Sequence, residues 1–246
     1  MSSSCLSTVC PSTVSPSTVS PSTVSPSTVS PTTVRPSDTG VGACRVCGRA
    51  HLAIGPLCFC CRTVAAQLRL PLVPLVALTE YRVGDRSHRR FRAYKDAPVS
   101  EVRARCRGAL VDGLARWVDA HGVPWHTPGT DDPVVTTVPS SHRPGEAPIA
   151  GLVDDVPALA RQHLPLLVRG PARLGHLQAH REAFAPAPGV DRAGLTDLTV
   201  VVIDDTTTTG AAAQSAAAAL RLAGARVVGV LVLGRALAPR AELMDT

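Results

Sequence analysis

The 246-residue sequence is poor in several residue types, and each shortage excludes a class of protein. Its seven aromatic residues (two Trp, two Tyr and three Phe) are too few for a platform on which successive nucleic-acid bases stack. It has no apolar run of about 18 residues, the length that a membrane-spanning helix requires. Asparagine is absent and Lys95 is the only lysine. Because arginine replaces lysine throughout, this bias reflects the composition of the genome rather than the chemistry of a site.

Positive charge is in excess, since 25 Lys and Arg against 19 Asp and Glu give +6 at neutral pH. The basic residues are densest between residues 81 and 107, which leaves a nucleic-acid partner open. A solvated basic face, or a cradle for a small phosphorylated ligand, fits the scarcity of aromatics better. The first residues lack the features of a secretory signal, so we predict a cytoplasmic protein with no membrane partner. In that reducing compartment the eight cysteines are expected to be metal ligands or core residues rather than disulfides.

The first 40 residues form a low-complexity tail. Between residues 6 and 35 a five-residue unit built on Ser, Thr, Val and Pro occurs six times. The repeated proline excludes a regular helix or strand ladder, and one valine per unit buries too little apolar surface to offset the entropy of ordering. Residues 1–40 are therefore predicted to be disordered.

Four cysteines after the tail have the spacing of a zinc site. Cys44 and Cys47 form one CxxC pair, and Cys58 and Cys61 form a second pair after ten intervening residues. Two such pairs can supply four thiolates to one tetrahedral Zn²⁺ ion. We predict a structural zinc module over residues 41–70, in which Cys60 is an alternative to Cys61. Unligated core or redox cysteines are the less favoured interpretation, because neither pair lies beside the strand and helix of a thioredoxin-like unit.

Residues 71–246 alternate between strand and helix patterns, which indicates an α/β domain. Strands are predicted from apolar runs at 133–139, 164–170, 198–204 and 226–234. Helices are predicted from periodic apolar positions at 100–122, 151–163 and 211–222. We also expect a short strand ending near Lys95, and Ser100 as an N-cap. Such alternation implies a parallel, doubly wound sheet that binds ligands beyond the carboxyl ends of its strands.

The stretch VVVIDDTTTTG, residues 200–210, has the features of a sugar-phosphate site. Asp204 and Asp205 are expected at a solvent-facing strand end, where carboxylates can accept hydrogen bonds from vicinal hydroxyls or hold Mg²⁺. A predicted turn before the next helix contains Thr206, Thr207, Thr208, Thr209 and Gly210. Backbone amides and the helix dipole favour a phosphate there. In the plainer interpretation the acids only end a strand and a threonine only caps the helix.

This stretch resembles the phosphoribosyl pyrophosphate signature of the type I phosphoribosyltransferases, in which an apolar strand, two acids and a threonine-rich loop with glycine lead into a helix. The resemblance implies that Asp204 and Asp205 are the catalytic pair that holds the ribose hydroxyls, with Mg²⁺ bound alongside the substrate. It also implies that residues 206–210 bind the 5′-phosphate. Ala212 departs from the family, which usually has Thr or Ser at this position.

A four-cysteine module followed by such a domain resembles the ComF family, whose members are linked to competence for DNA uptake. Residues 93–96, AYKD, resemble the family's tyrosine–lysine element. Lys95 is thereby a candidate to bind phosphate, and the alternative is a surface lysine that extends its ammonium into water. The resemblance also raises DNA-uptake machinery or nucleic acid as a partner.

The loop VTTVPSSHR, residues 135–143, resembles the family's segment for pyrophosphate. Ser140, Ser141 and Arg143 would supply donors to that leaving group, or they are ordinary turn residues. The family's RGFNQ-like string is absent after this loop. Further on, His180 or Arg181 is a candidate to border the acceptor.

Two functions follow from these features. The first is a phosphoribosyltransferase, a glycosyltransferase that moves the phosphoribosyl group to an unknown acceptor and releases pyrophosphate. The second is a non-catalytic module of the ComF type that binds ribose phosphate or assists DNA handling. An intact pyrophosphate loop favours the first function, and its replacement at residues 144–151 favours the second.

Overall fold

A four-stranded parallel sheet is the central layer of the structure, a computed structural model that describes residues 42–51, 55–122, 125, 132–140 and 147–237. The strands of the described residues are β1 (Gly42–Ala43), β2 (Ala50–His51), β3 (Leu75–Tyr81), β4 (Val134–Thr137), β5 (Leu167–Arg169), β6 (Phe184–Pro186), β7 (Thr199–Thr207) and β8 (Arg226–Ala236). Its described helices are α1 (Phe59–Leu68), α2 (Arg86–Asp96), α3 (Ser100–His121), α4 (Pro148–Asp154), α5 (Pro157–Ala160), α6 (Arg192–Thr196) and α7 (Ala211–Leu222). Within these ranges no helix has the length and apolar character needed to cross a bilayer. The predicted disordered tail, residues 1–40, lies outside the described residues.

The central sheet has the order β3-β8-β7-β4, and all neighbouring strands are parallel. Its strands β4, β7 and β8 confirm three predictions, whereas β3 was not predicted because prolines interrupt the apolar run that leads into it. Ile203 of β7 pairs with Thr137, the last residue of β4. Strand β7 then continues along β8 as far as Thr207. One edge of the sheet is therefore open beside Asp204 and Asp205.

Helices cover both faces of this sheet. Val200 and Val202 face a core that includes α7 and the pair β5–β6, whereas Val201 and Ile203 face a core that includes α2, α3, α4 and α5. Successive strand residues point to opposite faces, so a strand buried on both sides is continuously apolar, as here. Helix α7 confirms the prediction over residues 211–222. The architecture confirms the predicted α/β class with a doubly wound parallel sheet.

Residues 86–96 form helix α2, which corrects the prediction of a short strand there. Phe91 and Tyr94 are its buried residues, and their three-residue spacing places them on one face of the helix. Asp85 caps the helix, because its Oδ1 accepts a hydrogen bond from the His88 N–H (2.7 Å). The strand prediction was wrong because alternating basic residues resemble a strand when only nine residues are compared.

Two predicted helices differ in detail from the observed ones. Helix α3 is the one predicted over residues 100–122, but its N-cap is Val99 rather than Ser100. The helix predicted over residues 151–163 is instead the pair α4 and α5, each of which begins with a proline. Proline inside a helix removes a backbone hydrogen bond, so Pro157 divides the segment.

The β5–β6 hairpin stands apart from the central sheet. The strand predicted over residues 164–170 is β5, but it pairs antiparallel with β6 and does not join the parallel strands, which corrects its predicted place. Leu167 and Phe184 of this hairpin are buried in the core on the α7 face. The hairpin therefore lies over the same face of the sheet as α7.

Candidate functional site

A cleft of about 680 Å³ opens beyond the end of β4, where β7 continues beside β8. Asp204 and Asp205 of β7 line it, together with Ser140 from the segment after β4. Lys95 enters from α2, and Arg169 enters from the β5–β6 hairpin. The cleft thus lies at the carboxyl edge of the sheet, where parallel α/β folds bind ligands.

Asp204 is buried, with 9% of its surface exposed, which corrects the expectation of a solvent-facing carboxylate. Burial, followed by the charge of neighbouring Asp205, raises the pKa of Asp204 from its ordinary value of 3.8 to about 8. One oxygen of Asp204 accepts a hydrogen bond from the Asp205 N–H (2.9 Å). The raised pKa favours the protonated form of Asp204, which can donate a hydrogen bond as well as accept one.

Asp205 is also buried, at 8% exposure, but helix α2 supplies it with two partners. The Tyr94 hydroxyl donates to Oδ2, and the Lys95 ammonium forms an ion pair with the same oxygen. The other oxygen accepts a hydrogen bond from the Thr206 hydroxyl (3.2 Å). Lys95 is therefore held inside the cleft by a carboxylate and does not extend into water from the surface.

The threonine stretch divides between strand and loop. Thr206 and Thr207 still belong to β7, which corrects the prediction that both lie in a turn. Thr207 Oγ1 accepts a hydrogen bond from the Gly210 N–H (2.8 Å), and Thr209 Oγ1 accepts one from the Ala211 N–H (3.3 Å). These hydroxyls therefore cap amides of their own loop.

Only part of this stretch borders the cleft. Thr206 and Ala212 line it, whereas residues 207–210 line a cavity of about 20 Å³ beside the cysteines. Gly210 is the N-cap of α7 with φ of 81°, a left-handed conformation that favours glycine. The amides of Ala212 and Ala213 lie in the first turn of α7, where N–H groups have no partner within the helix. This helix N-terminus is suited to a phosphate.

The predicted pyrophosphate loop is described only in part. Ser140 lines the cleft, whereas Ser141 and Arg143 lie outside the described residues. The Val138 N–H donates to the Ile203 carbonyl (3.0 Å), which directs the chain after β4 along the end of β7. Ser140 is thereby brought close to the acid pair.

His180 and Arg181 have structural contacts rather than places in the cleft. The His180 N–H donates to Ser215 Oγ (3.0 Å), and Arg181 donates to the backbone carbonyls of Leu68 and Arg69. Neither residue is among those that line the cleft. These contacts anchor the segment before β6 against α7 and α1.

Sequence reasoning missed Arg169 and His176, both of which line the cleft. No motif marks either residue. The one available signal is the two-residue spacing of Leu167 and Arg169, which places both on the same face of a strand. That spacing has no meaning until the partner strand β6 is known.

Cys44, Cys47, Cys58 and Cys61 come together as predicted, with all four Sγ atoms within 4.8 Å of one another. Cys47 Sγ and Cys58 Sγ are 3.8 Å apart. Tetrahedral Zn–S bonds of about 2.3 Å require S–S distances of about 3.8 Å, so the geometry fits a zinc ion. Among the described residues this is the single group of three or more His, Cys, Asp or Glu side chains that could hold a metal.

The start of helix α1 selects Cys61 rather than Cys60. Cys58 is the N-cap of this helix, and Cys61 follows three residues later on the same side of the first turn. Cys44 and Cys47 lie in the turn between β1 and β2, which the Gly48 N–H closes on the Cys44 carbonyl (2.8 Å). Helical spacing therefore decides which cysteine joins the cluster.

Three of these thiols have pKa values shifted in different directions. A hydrogen bond with Cys61 is the main cause that lowers the pKa of Cys47 to about 5, and the same bond raises the pKa of Cys61. Burial is the main cause that raises the pKa of Cys58 to about 11. The cluster thus favours a thiolate at Cys47 beside protonated neighbours, and a bound zinc ion would replace those protons.

Arg235 of β8 links the cysteine cluster to the central sheet. It is buried, and its Nη1 donates to the Cys47 carbonyl (2.6 Å) and lies 3.4 Å from Glu80 Oε1. The Leu75 N–H at the start of β3 donates to the Val46 carbonyl (2.7 Å). The cysteine turn packs directly on the sheet, and the domain boundary between residues 70 and 71 stays a prediction.

Similarity of this chain to known proteins is weak. No protein-family model matches the chain, and no curated protein matches it. Among solved structures, the chain is similar to the orotate phosphoribosyltransferase of Mycobacterium tuberculosis, crystallised with Fe(III) dicitrate, at 17% identity and a TM-score of 0.35. That match covers 72% of this chain and 94% of the other. Similarity at this level establishes neither the family nor the activity.

Proposed function

We propose that the cleft binds phosphoribosyl pyrophosphate and that the protein transfers the phosphoribosyl group to an acceptor with release of pyrophosphate. The observation that carries this proposal is the adjacent buried pair Asp204 and Asp205, which lines a cleft at the carboxyl edge of the sheet just before the N-terminus of α7. A ribose phosphate needs hydrogen-bonding groups for its hydroxyls beside amide donors for its phosphate. Both kinds of group occur here within about ten residues of sequence.

Each residue would have a distinct task in binding. Asp205, as a carboxylate, would accept a hydrogen bond from one ribose hydroxyl, and protonated Asp204 would exchange hydrogen bonds with the other. The amides of Ala212 and Ala213, with the Thr206 hydroxyl, would hold the 5′-phosphate. Because Lys95 and Tyr94 already contact Asp205, the ribose would share this carboxylate with them.

The transfer itself breaks one bond and forms another at the anomeric carbon. The pyrophosphate oxygen leaves with the bonding electron pair, and the acceptor nucleophile bonds to the same carbon and loses a proton. Charge that develops on the ribose would lie near the Asp205 carboxylate, and charge on pyrophosphate near Lys95 and Ser140. Once deprotonated, Asp204 would join Asp205 in offering the carboxylate oxygens that Mg²⁺ prefers, and a bound Mg²⁺ would neutralise pyrophosphate charge.

The cysteine cluster is proposed to hold a structural zinc ion in a reducing, cytoplasmic setting. A site with four thiolates has no open coordination position for a substrate, which favours a structural role. Through Cys47 and Arg235 the ion would stabilise the region next to residues 207–210. This module ahead of the sheet is the feature that favours the ComF resemblance and a role near DNA uptake.

A non-catalytic ribose-phosphate-binding module is the second candidate. It is favoured by Ala212, which lines the cleft without the hydroxyl usual at that position, and by the ion pair that engages Asp205. Such a protein would bind phosphoribosyl pyrophosphate and never consume it. The two candidates therefore differ in turnover and agree on binding.

Calorimetric titration with phosphoribosyl pyrophosphate and Mg²⁺ tests the binding that both candidates share. The wild type should bind, and the variant Asp204→Asn with Asp205→Asn should lose at least about tenfold in affinity, because two hydrogen-bonding groups to the ribose change. The matched control is Asp197→Asn, which alters an exposed acid just before β7. No binding by the wild type at millimolar ligand, or equal binding by all three proteins, would contradict the proposal. Release of pyrophosphate in the presence of candidate acceptors then separates enzyme from binding module.

A further inference from the structure

The guanidinium of Arg169 has an unusual position in the cleft. Arg169 pairs directly with Phe184 across the β5–β6 hairpin, and its guanidinium carbon lies 4.9 Å from the centre of the Phe184 ring. Leu167, two residues earlier on the same strand face, is buried in the core. Strand geometry therefore directs Arg169 inward, towards the cleft that it lines.

Within the described part of the chain, this arginine has an aromatic neighbour but no anionic partner. Its Nη1 atom is buried and finds no hydrogen-bond acceptor among the described residues, and no described carboxylate forms an ion pair with it. A guanidinium nitrogen that is buried without an acceptor costs stability, and a ligand that supplied the acceptor would remove that cost. Lys95 differs in this respect, because Asp205 neutralises its charge.

The backbone around Arg169 holds the side chain in place. The Gly170 N–H donates to the Ala183 carbonyl (2.9 Å), and a side chain at Gly170 would meet the Glu182 carbonyl at 2.1 Å. The strands therefore approach so closely after Arg169 that only glycine fits. The close strand pairing and the contact with the Phe184 ring restrict the Arg169 side chain to the cleft.

The surroundings of Arg169 fit an organic anion. The cleft that Arg169 enters is also lined by Leu174, Gly175, His176 and Phe184. These residues offer apolar surface and the two ring nitrogens of His176. Arginine binds a carboxylate or phosphate through two parallel hydrogen bonds. The groups assigned to ribose phosphate belong instead to β7 and α7.

We propose that Arg169 is a specificity-determining residue that binds an anionic group, a carboxylate or phosphate, on the acceptor. This inference rests on the proposed function, because it assigns an acceptor to the same cleft. It narrows the acceptor class to molecules with an anionic substituent. Arg169 contacts the acceptor's substituent and takes no part in bond breaking.

The first test compares ring carboxylates with their uncharged amides. Nicotinate against nicotinamide, and benzoate against benzamide, are titrated into the protein saturated with ribose 5-phosphate and Mg²⁺. The wild type should prefer at least one carboxylate, and Arg169→Gln should lose that preference, with affinity falling roughly tenfold to a hundredfold. Arg173→Gln, at an exposed arginine that does not line the cleft, is the control and should behave as wild type. Absence of any carboxylate preference in the wild type overturns the proposal.

The same variants separate the two sources of the anion. If Arg169 binds the acceptor, Arg169→Gln leaves the affinities for ribose 5-phosphate and for phosphoribosyl pyrophosphate unchanged. If phosphoribosyl pyrophosphate alone binds more weakly, Arg169 holds the pyrophosphate and the acceptor assignment is overturned. If neither sugar phosphate binds the wild type while a carboxylate preference persists without them, the proposed function fails and the anion site stands.

Thermal unfolding gives a readout without ligand. Arg169→Met keeps an apolar stem against Phe184 and removes a charge that has no anionic partner among the described residues, so the Tm should stay equal or rise. A clear fall in Tm would mean that Arg169 stabilises the fold as a structural residue, and it would overturn the proposal. Arg173→Met should leave the Tm unchanged.

Discussion

The cysteine cluster and the acidic cleft both gather ionisable side chains away from water, but they neutralise them by different means. The four cysteines have one another as partners and the geometry of a metal site. At the two aspartates, burial raises the pKa of Asp204 and so favours its neutral form, whereas the ammonium and hydroxyl of α2 contact Asp205. The cysteine cluster is formed by residues close in sequence and has the geometry to bind an ion, whereas the charges in the cleft are compensated by groups distant in sequence. Variants that remove one partner at a time should distinguish these two ways of neutralising buried ionisable groups.

The largest effect is expected at the cysteine cluster. Cys58→Ser removes one of four thiolates, so zinc content should fall from about one per chain to near zero, and the module should lose much of the roughly 10 kcal/mol that structural zinc supplies to small metal modules. Cys60→Ser is the matched control, since Cys60 lies outside the cluster. Elemental analysis and thermal unfolding measure both effects. If wild-type protein without zinc has the same Tm as wild-type protein with zinc, the structural role of the ion is contradicted.

Asp204 should make stability depend on pH. Its pKa is about 8 in the folded chain and near 3.8 when unfolded, so the folded state binds more protons between these values. The contribution of Asp204 to the free energy of unfolding is therefore expected to be most favourable below pH 4. It should fall by about 5 kcal/mol as the pH rises to 8. Asp204→Asn should flatten this slope in denaturant titrations at several pH values. An identical slope in the variant would show that Asp204 ionises normally.

The ion pair at Asp205 should have a smaller effect. Lys95→Gln leaves this buried carboxylate without its cation, and stability at pH 7 should fall by about 2 kcal/mol because both groups are largely but not fully buried. Arg92→Gln, an exposed change on the same helix, should have little effect. Denaturant unfolding measures both. Equal stability of the two variants would show that water, rather than Lys95, compensates Asp205.

The smallest expected effect is a gain at the helix N-terminus. Ala212→Thr restores a hydroxyl in the cleft beside the first turn of α7, and ribose 5-phosphate should bind about fivefold more tightly, or about 1 kcal/mol. Ala212→Val adds a side chain of the same shape without the hydroxyl and should bring no gain. If both variants bind alike, the phosphate does not lie against α7.

Prediction from sequence succeeded where the deciding contacts are close along the chain. Strands β4, β7 and β8 and helix α7 are continuous apolar or alanine-rich segments, so their patterns suffice. Helix α2 was mispredicted because only two residues, Phe91 and Tyr94, are buried along it. Strand β5 was correctly located but wrongly placed in the central sheet, because its pairing with β6 depends on a distant segment.

The candidate site shows the same division. The pairing of Cys44 and Cys47 with Cys58 and Cys61 follows from spacing, since two tight turns direct the sulfurs together. The neighbours Asp204 and Asp205 were found from the same kind of local pattern. The burial of these two aspartates was not predicted, because it depends on the elements packed around the end of β7.

By itself, the sequence determined the α/β class, the cysteine set and the acid–threonine stretch, because each arises from residues within about one or two turns or one strand. Only the tertiary structure decided that β7 extends past β4, that Lys95 neutralises Asp205 while burial raises the pKa of Asp204, and that Arg169 faces the cleft. The physical reason is that burial and charge compensation are set by groups far apart in the chain, and a pattern of neighbours carries no information about them.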